Sequence, residues 1–253
     1  MDMTQTNELT VLEHLEELRK RLVIVTITFV VSLGIGFWFA PNILNIMKGQ
    51  PTAIGVDWNL FGYTDGIMIY LKCAFILSLL ITLPIALLQI WLFLKPGLTE
   101  KEAKSTLVYV PVSFLLFLLG LSFSYFILFP LMLNFLSSIN QSIGAVETYG
   151  INQYFSLLFN LTIPVGAVFE LPVVILFLTK LGIVTPTKLR KMRKVSYFIL
   201  IVVGVSISPP DFISDFLIIV PLLLLFEISI WVSSWSLKRQ QANEESINKE
   251  VLN

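Results

Sequence analysis

The chain has 253 residues, 56% hydrophobic and only 13% charged, with 17 Lys and Arg balanced by 17 Asp and Glu. That composition, with a mean hydropathy of +0.83, excludes a soluble domain with one core and indicates a multi-pass membrane protein. A single cysteine, Cys73, and a single histidine, His14, exclude an internal disulfide, a thiolate or histidine metal cluster and an intramembrane Ser-His-Asp hydrolase. No G-x-x-x-x-G-K-[ST] run is present, so nucleotide hydrolysis by a P-loop is excluded as well. No catalytic residue, metal or other cofactor is expected, and nucleic acid is not an expected partner.

Residues 1–21 read as an amphipathic segment ahead of the first span. Leu12, Leu15, Leu18 and Leu22 form its apolar stripe, and Thr10 with Glu13 fits a capping box. Glu16 and Glu17 precede Lys20 and Arg21 at i, i+4, the spacing of ordinary helix-surface ion pairs. Residues 22–235 hold the apolar runs Leu22–Ala40, Ile67–Leu94, Leu107–Leu136, Tyr154–Leu178, Val195–Ile207 and Phe212–Trp235. A bilayer core of about 30 Å takes about 20 helical residues, so these runs predict an all-α polytopic bundle of six transmembrane helices. The first run lacks the small-residue cleavage site of a signal peptide. The last two helices are expected to be short. At about 1.5 Å per residue Val195–Ile207 covers only about 20 Å, so it crosses a thinned bilayer or forms a re-entrant hairpin with the last run. Residues 236–253 read as a polar, disordered tail.

Basic residues gather at Arg19–Arg21, at Lys95, Lys101 and Lys104, at Lys180 through Lys194, and at Lys238, Arg239 and Lys249. The alternate loops carry Lys48 alone, which places both termini in the cytoplasm. Prolines 84, 111, 130, 164 and 172 fall within the longer runs. Pro164 and Pro172 are expected to kink the fourth, helping to form a concave, cupped bundle.

Loop 95–106 contains Glu102, three residues after Thr99. Glu102 is either the fourth residue of a capping box or, with the N-terminal acids, part of a surface site for a basic ligand. Carboxylates select arginine over lysine through bidentate pairing. Glu170 is the only charged residue between Glu147 and Lys180, within Val168-Phe169-Glu170-Leu171-Pro172. A carboxylate in hydrocarbon costs a few kcal/mol or more and marks function by default. Three readings stay open for it: proton or ion coupling, a hydrogen-bond partner between helices, and a tolerated structural acid. Asp211 reads as capping the last helix, since Ser208 and Asp211 have the spacing of an N-cap and its N3 partner and a carboxylate favours a helix N-terminus. Glu227 lies in the half of the last span nearer Lys238, Lys72 is expected to snorkel outward, and Trp91, Trp231 and Trp235 read as interfacial anchors.

Five motifs in order carry a family resemblance: His14-Leu15-Glu16-Glu17-Leu18-Arg19-Lys20-Arg21; Gln89-Ile90-Trp91-Leu92-Phe93 with Pro96-Gly97-Leu98; Phe169-Glu170-Leu171-Pro172; Ser208-Pro209-Pro210-Asp211; and Phe226-Glu227. From about residue 10 to residue 235 the chain resembles TatC, the multi-spanning component of the twin-arginine protein translocase, in its Gram-positive form. The resemblance implies a receptor for twin-arginine signal peptides within an oligomeric complex. That complex exports folded precursors with single-span Tat subunits (TatA/TatB type), driven by proton-motive force across the plasma membrane. It implies that Glu17 and Glu102 receive the two arginines, with Arg19, Gln89 and Phe93 around them. It assigns Glu170, Pro172 and Glu227 to intramembrane assembly or transport, and Pro209, Pro210 and Asp211 to the last outer loop. Ser208 replaces the usual threonine, Ala103 stands where a basic residue is frequent, and the first outer loop diverges. The alternative class is a proton-coupled secondary transporter of a small molecule using Glu170. It lacks the expected internal repeat and a second polar cluster at membrane depth.

Overall fold

A computed structural model describes residues 3–49, 59–97, 103, 106–144, 148–208 and 211–251, with side chains from residue 14 to residue 238. Nearly all of these residues are helical: α1 (Met3–Lys48), α2 (Asp65–Leu94), α3 (Tyr109–Phe123), α4 (Phe129–Ser142), α5 (Ile151–Val168), α6 (Leu171–Lys180), α7 (Pro186–Lys191), α8 (Arg193–Ile207) and α9 (Phe212–Val251). No strand forms among the described residues. A single bridge pairs Asn59 with Gly150.

Among the described residues five spans are long and apolar enough to cross a bilayer: His14–Lys48, Asp65–Leu94, Tyr109–Ser142, Ile151–Lys180 and Phe212–Lys238. Helix α8, the short fifth run of the sequence, has 15 residues. That gives about 22 Å, still less than the hydrocarbon core. The sixth run departs from the expectation of a short helix, because α9 continues for 40 residues. It takes in most of the segment 236–253, expected to be disordered, whose Leu, Lys, Arg, Gln, Ala and Glu are good helix formers. The first helix differs in the same way. It begins at Met3, so Thr10 and Glu13 lie inside it rather than at its start. No proline or glycine interrupts residues 3–33, and the amphipathic segment joins the first span without a break.

Proline accounts for the irregularities in the third and fourth spans. Between α3 and α4, residues Ser124–Leu128 form a π-helical turn, just ahead of Pro130, whose ring nitrogen cannot donate to the carbonyl four residues back. Buried Ser124 donates from there to Thr162 Oγ1 of α5 at 3.3 Å. The fourth span breaks at Phe169-Glu170 because Pro172 cannot donate to the Val168 carbonyl, whereas Pro164 is accommodated within continuous α5. One of the two expected kinks is therefore an interruption.

The described residues form two compact units, Met1–Phe114 with Tyr149–Phe155, and Leu115–Thr148 with Ser156–Asn253. Helices in lipid gain no hydrophobic drive to associate, so close packing of small residues matters. In the first unit α1 meets α2 where Gly36 faces Ala74, and a Cβ on Gly36 would stand 2.7 Å from the Ala74 carbonyl oxygen. In the second, a Cβ on Gly120 of α3 would stand 2.7 Å from the Phe169 ring and 3.0 Å from Gly166 Cα. Gly120→Leu is expected to destabilise the protein by about 1–3 kcal/mol through overpacking, seen as a lower melting temperature in detergent. Gly34→Ala, with nothing within 4 Å of the added Cβ, should leave melting unchanged or raise it.

Candidate functional site

The first unit gathers most of the residues expected around a basic ligand. Glu17 lies on α1, and one helical turn later Arg21 donates to its Oε1 from Nε at 3.1 Å and from Nη2 at 2.5 Å. The same guanidinium donates from Nη1 to Gln89 Oε1 of α2 at 3.1 Å. The i, i+4 pair read from sequence is therefore one half of a link between two helices. His14 stacks on Phe93 with ring centroids 4.3 Å apart and planes 25° from parallel, a second link near the end of α2. Arg21 and His14 were visible in the sequence only as a local pair and a lone histidine. Gln89 and Phe93 lie on another helix, a separation no spacing rule reports.

Arg19 is exposed and takes no part in either link. Glu102 lies outside the described residues, whereas Ala103 and Thr106 are described. Buried Trp91 donates from its ring nitrogen to Thr106 Oγ1 at 3.1 Å, and Thr106 donates to the Ala103 carbonyl at 3.3 Å. Trp91, expected as an interfacial anchor, is instead buried, because Thr106 offers its indole N–H an acceptor inside the protein. Trp231 and Trp235 are exposed. The cluster presents a partly exposed carboxylate already engaged by one guanidinium, a side-chain amide beside it and an aromatic ring at the edge.

A second polar linkage, unforeseen in the sequence, lies at the opposite end of α2. Asp65 is buried and accepts from the backbone N–H groups of Phe61 and Gly62 at 3.1 and 2.8 Å. Asn152 donates to its other oxygen at 3.0 Å, and Lys72 donates to Asn152 at 2.8 Å. Lys72, expected to snorkel, is thus directed to a partner at the start of α5. Adjacent backbone joins there too, with Ile151 N–H donating to the Asn59 carbonyl at 2.8 Å.

In the second unit Glu170 occupies the interruption between α5 and α6, at the N-cap position of α6. Its N–H donates to the Ala167 carbonyl at 3.1 Å, and its carbonyl accepts from Val173 and Val174 at 3.1 and 3.0 Å. The side chain is half-buried, with Oε1 shielded from solvent. Ten residues separate Glu170 from Lys180, the end of α6. That is roughly 15 Å, about half the thickness of the hydrocarbon core. A carboxylate at a helix N-terminus is favoured by the unsatisfied N–H groups there. The break at Pro172 therefore creates the local environment in which an acid can be kept at membrane depth. Pro172 is buried, and Phe169 packs on Phe123 at 5.6 Å.

Glu227 is held within the last hairpin. Its Oε2 receives Arg193 Nη2 at 2.6 Å, and its Oε1 receives the Tyr197 hydroxyl. Both partners lie on α8, and neither was foreseen. Asp211 is itself the N-cap of α9, accepting from Ser214 N–H at 2.7 Å. Asp211 therefore caps the last helix as expected, but as the N-cap itself rather than as the N3 partner of Ser208. Ser208 remains extended at ψ 155° and donates instead to Asp215. Pro209 and Pro210 lie outside the described residues.

Comparison with known proteins gives a consistent result. Residues 13–221 match the family model described as Sec-independent protein translocase protein (TatC). The Sec-independent protein translocase protein TatC of Halalkalibacterium halodurans is 45% identical over 238 residues, covering 94% of each chain. TatCy of Bacillus subtilis is 46% identical over 241 residues, covering 95% of each. A crystal structure described as the twin arginine translocase receptor TatC superposes with a TM-score of 0.78 at 34% identity, covering 88% of this chain and 99% of that one.

Proposed function

Because this chain belongs to the TatC family of Sec-independent protein translocases, we propose that it is the membrane receptor for twin-arginine signal peptides. The observation that carries this reading is the Arg21 guanidinium held between Glu17 and Gln89, beside the His14–Phe93 stack. A guanidinium already fits this carboxylate. An arginine of a signal peptide competes for the same oxygen, and Glu102 supplies the second carboxylate. Arg19, exposed on the same helix, is available to the peptide rather than to the fold.

In this reading the site faces the cytoplasm with both termini, as the distribution of basic residues supports. The protein is a non-enzymatic transport subunit working in an oligomeric complex with single-span Tat subunits. Proton-motive force drives export of folded precursors. Glu170 and Pro172 act after the signal has bound. Glu227 serves the same later stage by tying α8 to α9, supported by its bonds to Arg193 and Tyr197. Asp211, with Pro209 and Pro210, sets the outer turn.

The test is export of a twin-arginine reporter in bacteria lacking their own TatC. Expression of this chain with its cognate single-span subunits is expected to restore export of the twin-arginine form and not of a twin-lysine form. Failure with a correctly inserted protein, or equal export of both forms, contradicts the reading.

A further inference from the structure

The segment between α6 and α8 is a built structure carrying a dense positive charge. Gly182 takes a φ of +70° and closes α6, donating to the Thr179 carbonyl at 3.1 Å while Ile183 donates to Leu178 at 3.1 Å. That left-handed residue favours glycine and ends the helix with its last carbonyls satisfied. Thr185 then caps α7, accepting from Lys188 N–H at 3.3 Å, with Pro186 in the first turn. Pro186 and Leu189 are buried and hold α7 against the bundle.

With that face fixed, Lys188, Arg190, Lys191, Arg193 and Lys194 are all exposed on the other side, and residues 181–196 contain no acid. Two of these cations are already used: Arg193 pairs with Glu227, and Arg190 donates to Ser234 Oγ at 3.4 Å. Lys188, Lys191 and Lys194 have no ion-pair partner among the described residues. Exposed Ile183, Met192 and Val195 stand among them. Cations mixed with exposed apolar side chains, at the end of two membrane-embedded helices, match the boundary between headgroups and acyl chains.

We propose that Lys188, Lys191 and Lys194 form a docking surface for anionic phospholipid headgroups, with Ile183, Met192 and Val195 seated among the first acyl carbons. The proposal rests on the membrane-spanning fold and charge complementarity, and is independent of the signal-peptide reading. Lipid bound here fixes the α7 connector at the membrane surface beside the Arg193–Glu227 pair.

The experiment reconstitutes the full-length protein in phosphatidylcholine bilayers containing spin-labelled phosphatidylglycerol or spin-labelled phosphatidylcholine, and measures the motionally restricted fraction of each. The wild-type protein is expected to select phosphatidylglycerol. The triple variant K188Q/K191Q/K194Q should lose about tenfold or more in relative affinity, since each lysine near an anionic surface contributes about fivefold. A charge-matched control, K20Q/K48Q/K95Q, should keep the selectivity, and equal melting temperatures verify that both variants fold. Undiminished selectivity in the triple variant, or an equal loss in the control, overturns the proposal. So does displacement by millimolar inorganic phosphate at constant ionic strength, the sign of a free-anion site. Absence of selectivity in the wild type, as when Glu244, Glu245 or Glu250 of the same chain occupies the lysines, also overturns it.

Discussion

Glu17→Ala is expected to weaken binding of a twin-arginine signal peptide to the detergent-solubilised protein by about 10- to 100-fold. A hydrogen bond to a charged group contributes about 1.5–3 kcal/mol, and tenfold in affinity is about 1.4 kcal/mol. The same substitution also releases Arg21, but a partly exposed i, i+4 pair contributes little to stability. Melting should therefore hardly change. Glu102→Ala should act in the same direction, and the wild-type protein should bind a twin-lysine peptide more weakly than the twin-arginine one. Lysine retains the charge but has no fork to match the carboxylate. Titration of a labelled peptide measures all of these. Equal affinity for the two peptides, or normal binding by the Glu17 and Glu102 variants, removes the site from this position.

Glu170→Ala is expected to abolish export of a twin-arginine reporter while leaving peptide affinity within about twofold of wild type, since it removes the only acid between Glu147 and Lys180. Glu170 sits at a helix break inside the membrane, roughly 15 Å from the end of its span, whereas Glu17 belongs to a partly exposed cluster on α1. Binding and transport should therefore separate by residue. Glu170→Gln keeps hydrogen-bonding ability and removes the charge. Retained export in this variant identifies hydrogen bonding as the requirement, and lost export identifies the carboxylate. Loss of peptide binding in Glu170→Ala, with assembly intact, contradicts the assignment.

The last hairpin shows why side-chain roles were less legible than element positions. Ser208 and Asp211 have the right spacing for a cap, yet the capping carboxylate is Asp211 because Ser208 is still extended two residues before Pro210. A cap depends on where the first helical turn begins, and a proline pair shifts that by a turn without changing the sequence pattern. Likewise, Trp91 reads as an interfacial residue until Thr106, fifteen positions later, accepts its N–H.

Composition alone determined the membrane class, because a chain this apolar cannot keep its surface in water. Run length and the distribution of Lys and Arg determined the approximate spans, since hydrocarbon thickness sets a minimum helix length whatever the packing. The motifs around Glu17, Gln89, Glu170 and Asp211 established the family. Tertiary structure decided what each polar side chain touches: Arg21 spanning Glu17 and Gln89, His14 on Phe93, Asp65 with Asn152 and Lys72, Glu227 with Arg193 and Tyr197. Most of these contacts join residues from different helices, and their distances depend on how those helices pack, which periodicity along one helix does not encode.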